Sequence, residues 1–326
     1  PRSKNVKKRR PRTIKQCLKR ERNREAMFKR IGLLILANFA IFIMLSVILN
    51  VISMVTGINF GTMSGQSLNL GALFVFAMVV GFSGSIISLL MSKTMAKMSM
   101  GLTMVDVDHP RNAVESYLVS VIRSESEKAG IPMPEVAIYD GEPNAFATGP
   151  SKSSSLVAVS TGLLNLMNRD EVEAVLAHEI SHVKNGDMVT MTLLQGVMNT
   201  FVVFASRVIG WVVDRQILRN EDDAPGVGYY VTSLVLDICL GFLASMVVAA
   251  FSRYREYHAD AGAANIMGTT TPMINALARL GGVAPNELPG SVKGFGISGG
   301  IGSLFASHPS IEDRIKALRE HRYTAN

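Results

Sequence analysis

Cysteine is nearly absent: the 326-residue chain holds only Cys17 and Cys239. Cys17 sits among bases and Cys239 in an apolar run. Two such residues exclude a disulfide framework, and neither has metal-ligand spacing. Charge is also scarce, at 18% Asp, Glu, Lys and Arg against 48% hydrophobic residues. The first long apolar run has no small-residue cleavage site and is too long for a signal peptide, so it reads as retained. No clear strand and no βαβ unit surround Gly294-Phe295-Gly296-Ile297-Ser298-Gly299. A nucleotide site is therefore excluded there, and a mobile loop or cleft lip is expected within residues 281–306. The 18 methionines are scattered through apolar runs, as suits packing and lipid contact rather than a copper site.

Long apolar runs are what the chain has instead. Ile31–Val55 and Leu70–Met91 each meet the requirement of about 20 apolar residues. Met188–Val213 is interrupted by Arg207, and Tyr230–Phe251 contains Asp237. A charge near mid-span is expensive, so each should face protein, pair or snorkel. Residues 1–30 carry 14 Lys and Arg against Glu21 and Glu25, a net +12. The whole chain is +7, so the remainder is −5. The 56–69 loop has no base, and the 214–223 loop sets Arg215 and Arg219 against four acids. The positive-inside rule then puts the N-terminus, residues 92–187 and the C-terminus in the cytoplasm. The basic tail can attract anionic lipid or nucleic acid, but such tails are usually solvated, and no nucleic-acid partner is expected. Met27 is a natural start, so residues 1–26 are expected to be either an upstream extension or added sequence. No residue pattern specifies an oligomer.

Chemistry enters at His178-Glu179-Ile180-Ser181-His182. Four residues make about one helical turn, so both imidazoles leave one face and can grip one Zn²⁺. Glu179 lies on the neighbouring edge, placed to take a proton from an activated water. Asn168 and Glu171 form a capping box, acids crowd the first turn, and Val172, Val175 and Leu176 give an apolar side. Gly186 suits the position past the helix end, and Asp187 can cap the next segment.

Two histidines are too few ligands for a catalytic zinc, and His₂Glu is one standard set. The segment Arg253-Tyr254-Arg255-Glu256-Tyr257-His258-Ala259-Asp260 supplies two carboxylates four apart. They share a helical face. One can bind metal while the other holds a ligand imidazole by its second nitrogen. His258 points roughly the opposite way from Glu256 and is a poor ligand. The competing reading of Glu256 is a salt bridge with Arg253 or Arg255.

Together, H-E-I-S-H-V-K-N-G-D and the later S-R-x-x-E-x-x-A-D resemble the HtpX-type membrane metalloproteases, bacterial relatives of the CAAX prenyl proteases. Asn144-Ala145-Phe146-Ala147-Thr148-Gly149, Ser307-His308-Pro309 and Arg314 extend the likeness, which runs from about Met27 to the C-terminus. The resemblance implies a gluzincin fold with one Zn²⁺ on His178, His182 and Glu256, and Glu179 as base. It implies that Asn144, Ala145 and Phe146 begin an edge strand beside the cleft. It also implies damaged or misassembled membrane proteins as substrates, in stress-related quality control at a bacterial inner membrane.

Around the motifs, Ala113–Ala129 has helical periodicity, and Thr271-Pro272 opens a helix ending near Gly281 and Gly282. Glu135–Tyr139, Ala145–Thr148 and Leu156–Ser160 read as short strands. An edge strand there can pair with an extended polypeptide. His308 or Arg314 can donate to a developing oxyanion, although a helix cap also explains His308-Pro309. The expected class is α+β: a mainly helical membrane protein whose protease domain carries a small sheet. Its parts are a tail (1–30), a transmembrane hairpin (31–91), the first catalytic part (92–187), two further apolar segments (188–251) and the second catalytic part (252–326). The expected activity is a membrane-bound zinc endopeptidase. An intramembrane site is disfavoured by the polar Asn168–Glu173 stretch, and a decayed scaffold by the intact His178, Glu179, His182 and Glu256.

Overall fold

The computed structural model describes residues 69–222, 224–282 and 307–322, with isolated positions at 47, 51, 54 and 55. The expected span at 31–55, the basic tail and nearly all of the glycine-rich stretch lie outside these residues. The elements below belong to one unit, Leu49–Asn326.

Helix α1 runs Leu70–Ser99, eight residues past the apolar run that predicts it. Asn69 caps it by accepting from the Ala72 amide. Leu70, Phe74, Met78, Ile86 and Leu90 are exposed at intervals of four or eight residues, while Leu73, Ala77 and Gly81 are buried. One face therefore meets lipid and the other meets protein. The protein face packs on α5 (Asp187–Val212), with small residues at the crossing. A Cβ on Gly81 would collide with Thr200, and one on Gly196 with the Phe82 ring. Close helix approach through small residues is how helices associate where no hydrophobic gain separates protein from lipid.

Helix α5 ends in a π-turn, Val213–Ile217. Buried Asp214 then accepts from Asn220 Nδ2 and from the Gly226 and Tyr229 amides, tying down the turn that leads to α6. Helix α6 spans Val227–Met267, 41 residues without a break. At 1.5 Å per residue it is about 60 Å long, twice the hydrocarbon thickness. Its first half is the expected apolar segment; its second half carries Glu256 and Asp260. Three described helical stretches, Leu70–Ser99, Asp187–Ile217 and Val227–Met267, are long and apolar enough to cross a membrane. The two in-span charges find each other: Arg207 Nη1 lies 2.8 Å from Asp237 Oδ2, and Ser206 Oγ donates to Asp237 Oδ1 at 2.5 Å. Pairing removes the cost that an isolated charge would carry.

The polar part is a four-stranded sheet with helices on it. Strands β1 (Thr103–Val105), β2 (Glu135–Tyr139), β3 (Ala145–Ser151) and β4 (Ser154–Ser160) lie in the order β1-β2-β4-β3. β2 and β4 are parallel; the other pairs are antiparallel. β3 is thus an edge, in register with Ala145 opposite Val159 and Ala147 opposite Val157. Its pairing slips between Thr148 and Ser151. Gly149 makes this possible: its φ is +140°, and a Cβ would strike the Ser154 carbonyl.

Helices α2 (Ala113–Ala129), α3 (Thr161–Leu166), α4 (Arg169–Asn185), α7 (Thr271–Leu280) and α8 (Ile311–Arg319) complete the fold. The core joins Leu118 and Ile122 of α2, Val136 and Val157 of the sheet, Leu176 and Ile180 of α4, Leu277 of α7, and Ile315 and Leu318 of α8. The α4 capping box forms as expected, with Asn168 and Glu171 each bonding the other's amide. Glu171 also holds Arg279 of α7 through two hydrogen bonds of 2.6 and 2.9 Å.

Candidate metal centre and active site

Helix α4 is buried along most of its surface, so its histidines look into the protein. His178 is 6% exposed. One turn apart, the two Nε2 atoms lie 3.1 Å from each other. Glu256 arrives from α6, with Oε1 3.4 Å from His182 Nε2 and Oε2 3.6 Å from His178 Nε2. Side-chain donor atoms of His178, His182 and Glu256 all fall within 4.8 Å of one another.

The outer nitrogens are both engaged. His178 Nδ1 meets Asp260 Oδ1 at 3.0 Å, and His182 Nδ1 meets Asp187 Oδ2 at 2.6 Å. An ionised carboxylate only accepts, so each Nδ1 carries the proton and each Nε2 presents a lone pair. Two lone pairs and a carboxylate converging in a buried space repel unless a cation sits between them. Ligands held about 2.0–2.1 Å from one zinc in a tetrahedron would be separated by about this distance. Glu256 Oε2 is buried and accepts no well-directed hydrogen bond. Its nearest basic neighbours are His308 Nδ1 at 2.9 Å and Arg314 Nη1 at 3.3 Å. The residues present therefore fit a divalent metal.

Electrostatics agree. Burial pulls the His178 pKa down, but Asp260 and Glu256 outweigh it and leave it raised to about 9. His182 is likewise lowered by burial and raised further by Asp187 and Glu256. The carboxylates thus favour positive charge at this spot. Arg314 braces them: Nε donates to Asp260 Oδ2 at 2.8 Å and Nη2 to Oδ1 at 2.6 Å. Nε and Nη2 are committed to this fork, while Nη1 lies 3.3 Å from Glu256 Oε2. His308, whose side chain is 64% exposed, stands at the open side.

Glu179 sits on the next edge of α4. Its Oε2 accepts the Ala147 amide of β3 at 2.8 Å. That bond brings the edge strand and the acid together beside the candidate ligands. Asn144 precedes the strand and is fixed by Ser160, whose Oγ accepts its amide and whose N–H donates to its carbonyl, each at 2.9 Å. Ala145 and Ala147 face the main core, whereas Phe146 joins Tyr139, Leu156 and Ala158 on the other face of the sheet. The Phe146 side chain is therefore on the sheet face away from the main core.

Two partners escape the sequence reading. Asp187 was expected to cap α5, yet Gly186 occupies the cap and Asp187 turns back to His182. Gly186 allows that turn, at φ +71°. Arg255 was the competing partner of Glu256; it instead donates to the Asp187 carbonyl at 2.8 Å. An acid one residue past the helix-ending glycine, five after a ligand histidine, is the available signal. His258 stays outside the ligand cluster, its Nδ1 3.0 Å from the Tyr254 carbonyl oxygen.

Known proteins place this geometry. The family model for peptidase family M48 matches residues 112–322. The chain is 58% identical over 293 residues to a protease HtpX homolog of Acidovorax ebreus (strain TPSY), covering 89% of this chain and 98% of that protein. It is 54% identical over 296 residues to the homolog of Bordetella pertussis, covering 90% and 99%. The crystal structure of S. mikatae Ste24p superposes with a TM-score of 0.62 at 19% identity, covering 94% of this chain and 66% of that one. That likeness is one of fold. Apolar helices, a fitted metal site and these relatives agree: the chain is a membrane metalloprotease belonging to peptidase family M48, among the HtpX-type proteases.

Proposed function

We propose that the chain is a zinc endopeptidase that cuts polypeptides, damaged or misassembled membrane proteins among them, at the cytoplasmic face of a bacterial inner membrane. The observation that carries the reading is the Ala147 N–H···Glu179 bond, because it sets an acid and a sheet edge against the ligand cluster. When bound by His178, His182 and Glu256, Zn²⁺ would polarise the scissile carbonyl and acidify a water molecule. Glu179 takes the proton from that water and returns it to the leaving amine. Ala147 holds one Glu179 oxygen, so the other is turned to the reacting atoms. Asp260 and Asp187 fix the two imidazoles, and Arg314 keeps Asp260 in place. The free edge of β3 pairs with an extended substrate backbone, which binds without regard to side chains. His308, at the open side, is placed to donate to the carbonyl oxygen as charge builds on it. Charge distribution supports the cytoplasmic face, since the basic residues before the first span exceed those in the intervening loops. The likeness to HtpX-type proteases is the ground for placing it in stress-related quality control.

The test compares wild type with Glu179→Gln on a membrane-protein substrate. The variant should keep about one metal per chain and lose turnover. Retained cleavage would remove Glu179 as the base.

A further inference from the structure

A second cleft lies behind the metal centre, where the chain enters and leaves the apolar region. Its volume is about 390 Å³, and its lining includes Lys184 and Asn185 from the end of α4, and Phe251, Tyr254, Arg255 and His258 from α6. Asp187, the first residue of α5, closes it. Lys184 is exposed, and the side chain of Arg255 is only 15% exposed. Arg255 Nε is buried with no hydrogen-bond partner and lies 3.7 Å from Asp187 Oδ1, while Nη1 donates to the Asp187 carbonyl.

The balance of charge is positive. Lys184 and Arg255 face a single acid among the lining residues, Asp187, whose Oδ2 holds His182 and whose Oδ1 lies 3.7 Å from Arg255 Nε. The place is also defined. The apolar run of α6 ends at Phe251, and the lipid-exposed residues of α5 begin at Val189 and Leu193. A phosphate in the cleft would have apolar helix surface beside it for acyl chains, and Phe251 and Tyr254 at the level of the interface. A free phosphate would leave that surface unused.

We propose that this cleft binds the phosphate headgroup of an anionic membrane lipid. Arg255 supplies the buried donor, and Lys184 supplies the exposed charge. The site lies one residue from the metal centre's support: Arg255 holds Asp187, which holds His182. A headgroup that orders Arg255 would thereby steady His182, and membrane composition would tune the protease.

Native mass spectrometry of the full chain tests this, after release from micelles holding equal phosphatidylglycerol and phosphatidylcholine. Wild type should retain one phosphatidylglycerol in preference to phosphatidylcholine. Removing one cation should weaken that preference about fivefold, and reversing its charge should weaken it more. Lys184→Gln and Lys184→Glu should follow this order while keeping the wild-type metal content, which reports an intact fold. A parallel arm adds millimolar inorganic phosphate, which should leave the lipid in place. Equal retention of the two lipids, an undiminished preference in Lys184→Glu, or displacement by inorganic phosphate alone would each overturn the proposal.

Discussion

Glu125 should make this protein less stable as pH rises. It lies on α2, 3% exposed, and neither carboxyl oxygen has a hydrogen-bond partner. Burial pushes its pKa up, the nearby Glu173 on α4 pushes it further, and Lys128 only partly offsets them, giving about 9 against the ordinary 4.5. The folded chain thus keeps a proton that the unfolded chain releases. The resulting contribution is fully present below pH 4.5, falls between 4.5 and 9, and is flat above. Each unit is worth about 1.4 kcal/mol, so moving from pH 5.5 to 8.5 costs at most about 4 kcal/mol. Each kcal/mol moves Tm by about 2 to 4 °C in a domain of roughly 150–250 residues and by somewhat less in a longer chain such as this one. Glu125→Gln removes the titration. Its amide would lack partners too, a penalty of about 1–3 kcal/mol that does not vary with pH. The quantity to read is therefore the change in the difference between the two proteins. Thermal melts by circular dichroism, in detergent and with metal in excess, should show Glu125→Gln gaining on wild type steadily from pH 5.5 to 8.5. Glu173→Gln should flatten the wild-type dependence in part. Parallel melting curves for Glu125→Gln and wild type across that range would refute the reasoning.

Glu256→Ala should lose metal and activity together, whereas Asp260→Asn should keep metal when it is in excess and lose rate in a graded way; bound metal in the two variants decides which acid is the ligand. Asp187→Asn should weaken metal affinity or activity by about 10- to 100-fold, because it frees one imidazole; unchanged metal affinity and turnover would leave Asp187 a bystander. In intact cells, Asp222→Cys should label with a membrane-impermeant thiol reagent and Lys128→Cys should not; labelling of both would show that Met188–Val213 and Tyr230–Phe251 do not cross as a pair, and labelling of Lys128→Cys alone would reverse the orientation argued from positive charge.

What was legible in the sequence was what periodicity and local chemistry encode. The α4 capping box, the helix-ending Gly186 and the strand at Glu135–Tyr139 depend on neighbours within four residues, and they occur where the pattern puts them. His178 with His182, and Glu256 with Asp260, are likewise pairs one turn apart. Partners across the chain were legible only as types. That one acid would hold an imidazole follows from zinc chemistry; that Arg314 would grip Asp260, 54 residues away, depends on how α8 packs. Asp187 was misread because an acid in a first turn satisfies two rules, and tertiary geometry chose His182 over the cap. The unbroken length of α6 was hidden as well. Arg253, Arg255 and Glu256 end the apolar run without ending the helix, since hydropathy reports the surroundings and not the backbone hydrogen bonds.

That continuous helix permits a last prediction. One alanine inserted after Phe251 would turn the two halves of α6 by about 100° relative to each other. Both halves cannot then keep their partners. Downstream, Glu256, Ala259, Asp260, Ala261, Ala263, Ala264 and Ile266 are buried, and Gly262 packs on Ser181 of α4 so closely that a Cβ would not fit. Upstream, Ser233, Ala244 and Ala249 are the buried residues, while Val231, Leu234, Val235, Ile238 and Phe242 are exposed, as suits lipid. Lipid accepts a rotated apolar face at little cost, and the packed half does not. The membrane half should therefore turn, carrying Asp237 away from Arg207. Splitting that pair leaves uncompensated charge in the apolar region, worth about 3–5 kcal/mol. The inserted protein should keep its full metal content and melt at a lower temperature. Replacing Arg207 and Asp237 together with leucine should recover much of that loss, because no charge is then stranded. Loss of metal from the insertion, with an unchanged melting temperature, would show that the membrane half dictates the register and that the catalytic half yields.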